Sequence, residues 1–396
     1  MRSEPPADVP VRGGGGAAIA NLYWTQPILN LVAADLDAPI STAGWLVTVT
    51  QLGYALSVLL LVPLGDVLDR RRFVPTMLLA SAAALLLCAL APSIGVLFVA
   101  LGMLGVTTIS GQVLTSLAGD LAADARRGRV VATVGSGTLT GILAARTISG
   151  LVAGTAGWRT LFAVAAGVAV LLAVLLRRAI PPLAPRTRMS YPALIASVGV
   201  VVLRERTARW TLVLSAIGFV TFTMLWTALT FLLSEPPFGY PAPVIGAFGL
   251  AGLAGVLAVQ HAGRLYDRGR SLAATGAAWL LALAAFGCAA FVGRSVLLLV
   301  IVIIGVDVAL QGQAMFHRAR LFALSAEARS RLSTALSTSN WVGGAVGSAA
   351  ATVLWPVGGW TAVTVAGMVL CCGALIVWAL GRRGPLVVHP AVPDGR

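Results

Sequence analysis

Long apolar runs, separated by short polar breaks, fill almost the whole chain. Reading by the breaks gives twelve runs that meet the roughly 20 mostly apolar residues a bilayer-crossing helix requires. Six fall in the first half, at about 14–36, 41–64, 73–92, 94–118, 130–154 and 159–176. Six fall in the second, at about 210–233, 242–262, 271–291, 295–317, 332–354 and 359–381. The first run is the most polar. It opens on Gly13 to Gly16 and contains Asn21, Gln26, Pro27 and Asn30. Two readings of it stay open: a genuine but polar helix, or a translation start placed too far downstream.

The polar breaks repeat. Gly65-Asp66-Val67-Leu68-Asp69-Arg70-Arg71-Arg72 lies between runs 2 and 3, and Gly263-Arg264-Leu265-Tyr266-Asp267-Arg268-Gly269-Arg270 between runs 8 and 9. Both read Gly-x-x-x-Asp-Arg followed by more arginine. Further pairs keep nearly the same offset: Gly105-Val106 with Gly305-Val306, Gln112 with Gln313, Arg129 with Arg331, Gly157-Trp158 with Gly359-Trp360. One unit has been used twice. Six runs per unit, both starting on the same side, predict parallel repeats related by an axis along the membrane normal. The longest break, 177–209, lies at the midpoint. It carries Pro181, Pro182 and Pro185, then an apolar stretch from Tyr191 to Leu203 that is too short to cross. An amphipathic helix on the membrane surface is expected there. The predicted organisation is an N-terminal six-helix bundle over 1–176, a linker over 177–209, a C-terminal six-helix bundle over 210–381 and a tail over 382–396. The fold class is all-α integral membrane, with twelve transmembrane helices and pseudo-two-fold symmetry.

Composition agrees and adds orientation. Hydrophobic residues make up 58% and charged residues 11%, against about 25% charged in a soluble domain. The formal net charge is +14, and every one of the 28 basic residues is Arg. Those arginines occupy short loops instead of one basic domain, which argues against a nucleic-acid partner. Twenty-five of the 28 fall on the side that bears the Asp69 loop; only Arg146, Arg159 and Arg294 do not. Basic loops mark the cytoplasmic side. Both termini are therefore expected in the cytoplasm, in a multi-pass bacterial inner (plasma) membrane protein. An even number of spans is needed to keep this bias. The opening MRSEPPADVP is polar, with no cleavable signal peptide expected.

Little here suggests bond-making chemistry. Cys88, Cys288, Cys371 and Cys372 lie inside apolar runs, and His261, His317 and His389 are scattered. No metal, cofactor, phosphate loop or nucleotide fold is expected, and no enzyme activity. The expected partners are a small-molecule substrate, protons and the lipid bilayer, with the chain as a monomer.

On these features the chain resembles the major facilitator superfamily over roughly 14–381. The family's loop signature is Gly-x-x-x-Asp-Arg-x-Gly-x-Arg. Gly65, Asp69 and Arg70 match it, with Arg72 at the usual second Gly; the second copy keeps Gly263, Asp267 and Arg268. Asp120 matches the acidic partner this loop often has in the family. These residues imply a gating latch, with Gly65 allowing close approach and Asp69 capping the next helix; the plainer alternative is that the arginines only set topology. The resemblance extends to the drug-exporter branch. Exporters often carry Gly-x-x-x-Gly-Pro-x-x-Gly-Gly on span 5. Here the stretch runs Gly141 to Gly150 with Arg146 in the proline position. The usual Arg of span 4 is absent, since 100–112 contains no charge.

The candidate site residues follow. Arg146 lies about 24 Å along span 5 from Val130, at ~1.5 Å per residue, in the outer half of the bilayer. An arginine there faces a substrate, an acid or the outer headgroups. Asp307 sits near mid-depth of span 10 and is the leading candidate for a coupling proton site; its rival role is a fixed pair with Arg146. Asp35, at the outer end of span 1, is the second candidate. Tyr23, Gln26 and Asn30 share one helical face. With Gln51, Tyr54, Phe222, Trp226, Gln311 and Asn340 they form the expected substrate lining, because the resemblance places spans 1, 4, 7 and 10 around a central cavity and spans 2, 5, 8 and 11 beside it. Helix–helix hydrogen bonding is the alternative for any one of them. The function expected is proton-coupled export of small organic compounds by alternating access. The alternative is an importer or facilitator of a small anion or metabolite.

Overall fold

A computed structural model describes residue 16 and residues 18–121, 127–180, 189–293, 295–325 and 327–387. The second and third apolar runs become α2 (Ile40–Val67) and α3 (Arg70–Ala89), the fifth and sixth α6 (Arg127–Ala156) and α7 (Trp158–Ala179). In the second half, α9 (Arg206–Ser234) and α12 (Ser271–Ala289) match runs 7 and 9, and α13 (Val296–Phe322) outlasts run 10 by five residues. Arg318 and Arg320, expected in a loop, therefore stand on the last turns of a helix. The linker stretch folds as the 14-residue α8 (Tyr191–Arg204). Among the described residues, nine helices are long and apolar enough to cross a membrane.

Five runs depart from simple helices. The first is broken: residues 18–20 are helical, 21–25 turn, Gln26–Ile28 form one 3-10 turn, and α1 spans Leu29–Asp35. Pro27 supplies no N–H and pushes the preceding residue away from helical geometry. The fourth run splits into α4 (Ile94–Thr107) and α5 (Ser110–Leu121). At that split, Thr107 and Thr108 return their hydroxyls to Leu104 O. The eighth is α10 (Ala242–Ala247), a 3-10 stretch over Phe248–Gly252, and α11 (Leu253–Asp267). The last two runs join as α14 (Arg329–Gly381), interrupted where Gly358 and Gly359 leave helical geometry. Gly359 has φ 54°, which suits a residue without Cβ.

Inside and outside are sorted here by size, not by polarity. On α7 the buried face is mostly Ala165, Ala166, Ala169 and Ala173, while Val164, Val168, Leu171 and Leu175 are exposed. Against lipid tails the larger side chains gain nothing by hiding, and small ones let helices approach. Glycines take that approach furthest. A Cβ on Gly105 would strike Thr50 O of α2, and one on Gly53 would strike Gly102 O of α4. Ser57 Oγ of α2 donates to Val106 O at 2.5 Å in the same seam. Among the described residues three side-chain caps begin helices: Asp69, as its loop predicts, accepts from Arg71 N, Ser93 from Val96 N and Ser295 from Leu298 N.

Contacts group the chain into two units. One holds residues up to Tyr191 together with Leu233–Leu250; the other holds Pro192–Leu232 and Ala251 onward. The first therefore takes in α10, which packs along α6; sequence alone assigns that stretch to the second bundle.

Candidate functional site

In the first unit, the break in the first run is where the polar residues gather. Gln26 and Tyr23 are buried there, and Arg146 of α6 reaches into the same place with only 3% of its surface exposed. Arg146 donates through Nε and Nη2 to Gln26 Oε1 at 3.3 and 3.2 Å. Its guanidinium carbon lies 5.2 Å from the centroid of the Tyr23 ring. Two neutral groups from one broken segment, the Gln26 amide and the Tyr23 ring, thus contact the cation. Ser149, one turn on from Arg146, donates its hydroxyl to Trp24 O and satisfies a carbonyl that the break releases.

The backbone bearing Arg146 is itself clamped. A Cβ on Gly246 of α10 would sit 2.5 Å from Arg146 O, and one on Gly150 would strike Ala242 O. Thr147 Oγ1 donates across the same seam to Gly246 O at 3.3 Å. Only glycines permit this spacing, so α10 fixes the height and rotation of the Arg146 turn. Nearby, Tyr54 is fully buried, within electrostatic reach of Tyr23 and Gln112. Gln51 Oε1 and Asn30 Oδ1 are buried without a hydrogen-bond partner among the described residues. Asp35 is different. It is bound by Arg159 and by Trp158 Nε1, and Arg159 also stacks on the Trp158 ring and donates to Ala91 O. That knot ties the ends of three runs together at the surface.

The second unit carries the matching acid. Asp307 on α13 is 2% exposed and accepts from Trp226 Nε1 at 3.3 Å. Trp226 continues an aromatic row on α9: its ring lies 6.3 Å from Phe222, Phe222 lies 6.1 Å from Phe219, and Phe219 lies 5.7 Å from Trp341. Gly255 of α11 presses against Asp307 and Gln311, so that a Cβ there would lie 2.9 Å from Gln311 Cγ. Asn340, expected in the lining, accepts from Ser215 Oγ at 2.7 Å and so bridges α14 to α9.

The loop motif adds a contact that its sequence reading did not name. Asp69 caps α3, as expected; Arg70 also pairs with Asp66 at 3.0 Å, and its Nε donates to Gly65 O at 2.9 Å. Asp66 carries no weight in the family signature, and spacing alone gave no reason to choose it. Gly65 packs against Phe73 and Val113. In the second copy, Gly263 has open space where a Cβ would be, and Arg268 is exposed. The side chains of Asp120 and Asp267 lie outside the described residues, as do His389 and Pro182. Among the described residues no His, Cys, Asp or Glu group could hold a metal ion.

Comparison with known proteins gives the frame for these sites. The family model described as "Major Facilitator Superfamily" matches residues 13–317. The "Uncharacterized transporter YgaY" of Escherichia coli O157:H7 is 39% identical over 366 residues, which cover 92% of this chain and 93% of the relative. A solved nucleoside transporter, NupG (D323A mutant), superposes with a TM-score of 0.77 at 12% identity over 94% of this chain and 99% of its own. A bacterial homologue of the human lysosomal transporter Spinster, in an inward-facing and unoccupied conformation, superposes at 0.73 with 16% identity over 96% and 98%. At those identities the structures establish the fold, and the long relative establishes kinship. The protein is a multi-pass membrane transporter, not an enzyme, and it belongs to the Major Facilitator Superfamily.

Proposed function

We propose that this chain is a proton-coupled exporter of small organic compounds that works by alternating access. The observation that carries the reading is Asp307, a carboxyl buried in a spanning helix and held at one oxygen by an indole N–H. A carboxyl so placed is costly to ionise and is suited to bind and release a proton. Asp307 is the coupling site in this reading. Asp35 is the lesser candidate, because an arginine and an indole already occupy it.

The substrate would meet Tyr23, Gln26, Asn30, Gln51, Tyr54 and Arg146 in the first unit and Phe222, Trp226, Gln311 and Asn340 in the second. Aromatic faces beside amides suit a moderately polar organic solute. The remnant of the exporter motif around Arg146 supports outward transport. Arg146 also supports a second reading, import or facilitated passage of a small anion, because a guanidinium buried at membrane depth is suited to meet an anionic group.

Twelve spans in two parallel six-helix bundles underlie both readings. The nine spanning helices, the broken first run, α6, and the division of α14 at Gly358–Gly359 together support that count. The boundaries proposed are 1–176, 177–209, 210–381 and 382–396, with both termini cytoplasmic in a bacterial inner membrane and the chain monomeric. Gly65, Asp69, Arg70 and Asp120, with Gly263, Asp267 and Arg268, would form the cytoplasmic latch, a two-state element biased by substrate and proton.

Two measurements test this. In proteoliposomes with an imposed proton gradient, Asp307→Asn should abolish uphill flux, by at least about 100-fold, while the protein stays folded; unchanged uphill flux removes Asp307 from coupling. Asp69→Asn, which keeps an N-cap and removes the charge beside the arginines, should slow exchange between states by roughly 3- to 10-fold with little loss of affinity. A normal turnover rate sinks the latch.

A further inference from the structure

One face of α13 changes character halfway along. Leu299, Val302, Ile303, Val306 and Leu310 form a continuous buried apolar stripe, and Gln313, His317 and Arg320 continue the same stripe toward the helix end. They stand at i, i+4 and i+7, on one side of the helix. They are no more exposed than the leucines: 1%, 2% and 3%. Both polar atoms of the Gln313 amide, His317 Nε2 and Arg320 Nη1 are buried with no hydrogen-bond partner among the described residues. No described acid pairs with Arg320; its electrostatic neighbours are His317 and Tyr266.

Such a stripe does not hold itself together. A buried guanidinium without an acid is among the most costly groups a fold can carry, and an unsatisfied amide and imidazole add to it. Water can satisfy the amide and the imidazole, but it leaves the fixed positive charge of Arg320 uncompensated. The three side chains lie within about 10 Å along the axis, at ~1.5 Å per residue, and Arg320, as a long helical side chain, leans back toward His317 and Gln313. Together they offer a planar fork of N–H donors, a ring N–H and an amide N–H. That set fits a carboxylate or a phosphate.

We propose that Gln313, His317 and Arg320 form an anion-binding site in the last third of α13, for the carboxylate or phosphate group of a solute or of a lipid headgroup. The site is separate from Asp307, which lies two to four turns earlier on the helix. It requires neither a direction of transport nor proton coupling, so its test can fail or succeed independently of the function proposed above.

The test is binding to the purified full-length chain in phosphatidylcholine nanodiscs. Apparent melting temperature is followed against inorganic phosphate and succinate, and in parallel discs containing phosphatidylglycerol. A ligand of the folded state raises apparent stability. The wild type should be stabilised by at least one of these anions. Response to phosphate or succinate in neutral discs identifies a soluble anion; response only to phosphatidylglycerol identifies a headgroup. Arg320→Gln should weaken that response at least tenfold, Arg320→Lys should restore part of it, and His317→Asn should weaken it about threefold. If Arg320→Gln does not fold, Gln313→Leu with His317→Asn supplies the comparison. The proposal is overturned if no anion stabilises the wild type, or if the folded variants respond as it does.

Discussion

Arg146 and Asp307 are both buried charges, but the two units support them by opposite means. Arg146 is held by a helix that has been broken: the turn over 21–28 brings Gln26 and the Tyr23 ring to the guanidinium. Asp307 sits on an unbroken helix, and its partner Trp226 comes from a regular neighbour. A guanidinium has five donors in a fixed fork and needs acceptors from several directions, which one straight helix cannot present. The Trp226 indole N–H gives the Asp307 carboxyl a donor from a straight neighbouring helix. Irregular backbone at membrane depth is tolerated only where protein surrounds it, as at the buried Gln26 and Tyr23.

The contrast can be broken at the glycines that set helix spacing. Gly246→Ala should be the most disruptive change, lowering stability by about 3 kcal/mol or preventing folding, because the added Cβ meets the backbone carbonyl of Arg146, which cannot move aside. Gly255→Ala should cost about 1 kcal/mol, since its 2.9 Å neighbour is the movable Gln311 side chain. Melting curves in one detergent compare the two, and equal losses would mean that the backbone contact at Gly246 is no stiffer than the side-chain contact at Gly255. Next in size, Arg146→Ala should weaken binding of an anionic substrate about 10- to 100-fold and leave neutral ligands unchanged. If only yield or melting temperature falls, Arg146 is structural. The smallest effect is expected at Trp226→Phe, which keeps the aromatic row and deletes the donor to Asp307. A loss of about 1 kcal/mol of stability is expected, with coupled flux reduced but present. Complete loss of flux would mean that Trp226 does more than orient the carboxyl.

Much of the architecture was legible because its causes are local. The apolar runs, the Asp69 cap and the 14-residue helix after the prolines all follow from residues adjacent in the chain. The polar residues of the first run were legible as a group, through the 23, 26, 30 spacing, but for an incomplete reason. A continuous helix was expected, and the turn before Pro27 is what brings Gln26 and Tyr23 to Arg146. Arg320 was misplaced because arginine near a run's end normally marks a loop, and hydropathy cannot tell a helix that continues inward from one that stops. Asp66 was passed over because its partner, Arg70, lies four residues on, across the turn into α3, where two helix ends meet.

The sequence by itself determined that this chain crosses a bilayer many times and that Arg146 and Asp307 fall inside its apolar runs. Hydropathy, arginine placement and internal repetition depend only on order along the chain, and each acts through the large, non-specific cost of moving polar groups into hydrocarbon. The tertiary structure decided which polar groups meet. Pairing of Arg146 with Gln26 spans 120 residues and that of Trp226 with Asp307 spans 81. Such meetings depend on helix rotation and spacing at the level of one ångström, set by glycine contacts such as Gly246 on Arg146, and no pattern of neighbours in the sequence encodes them.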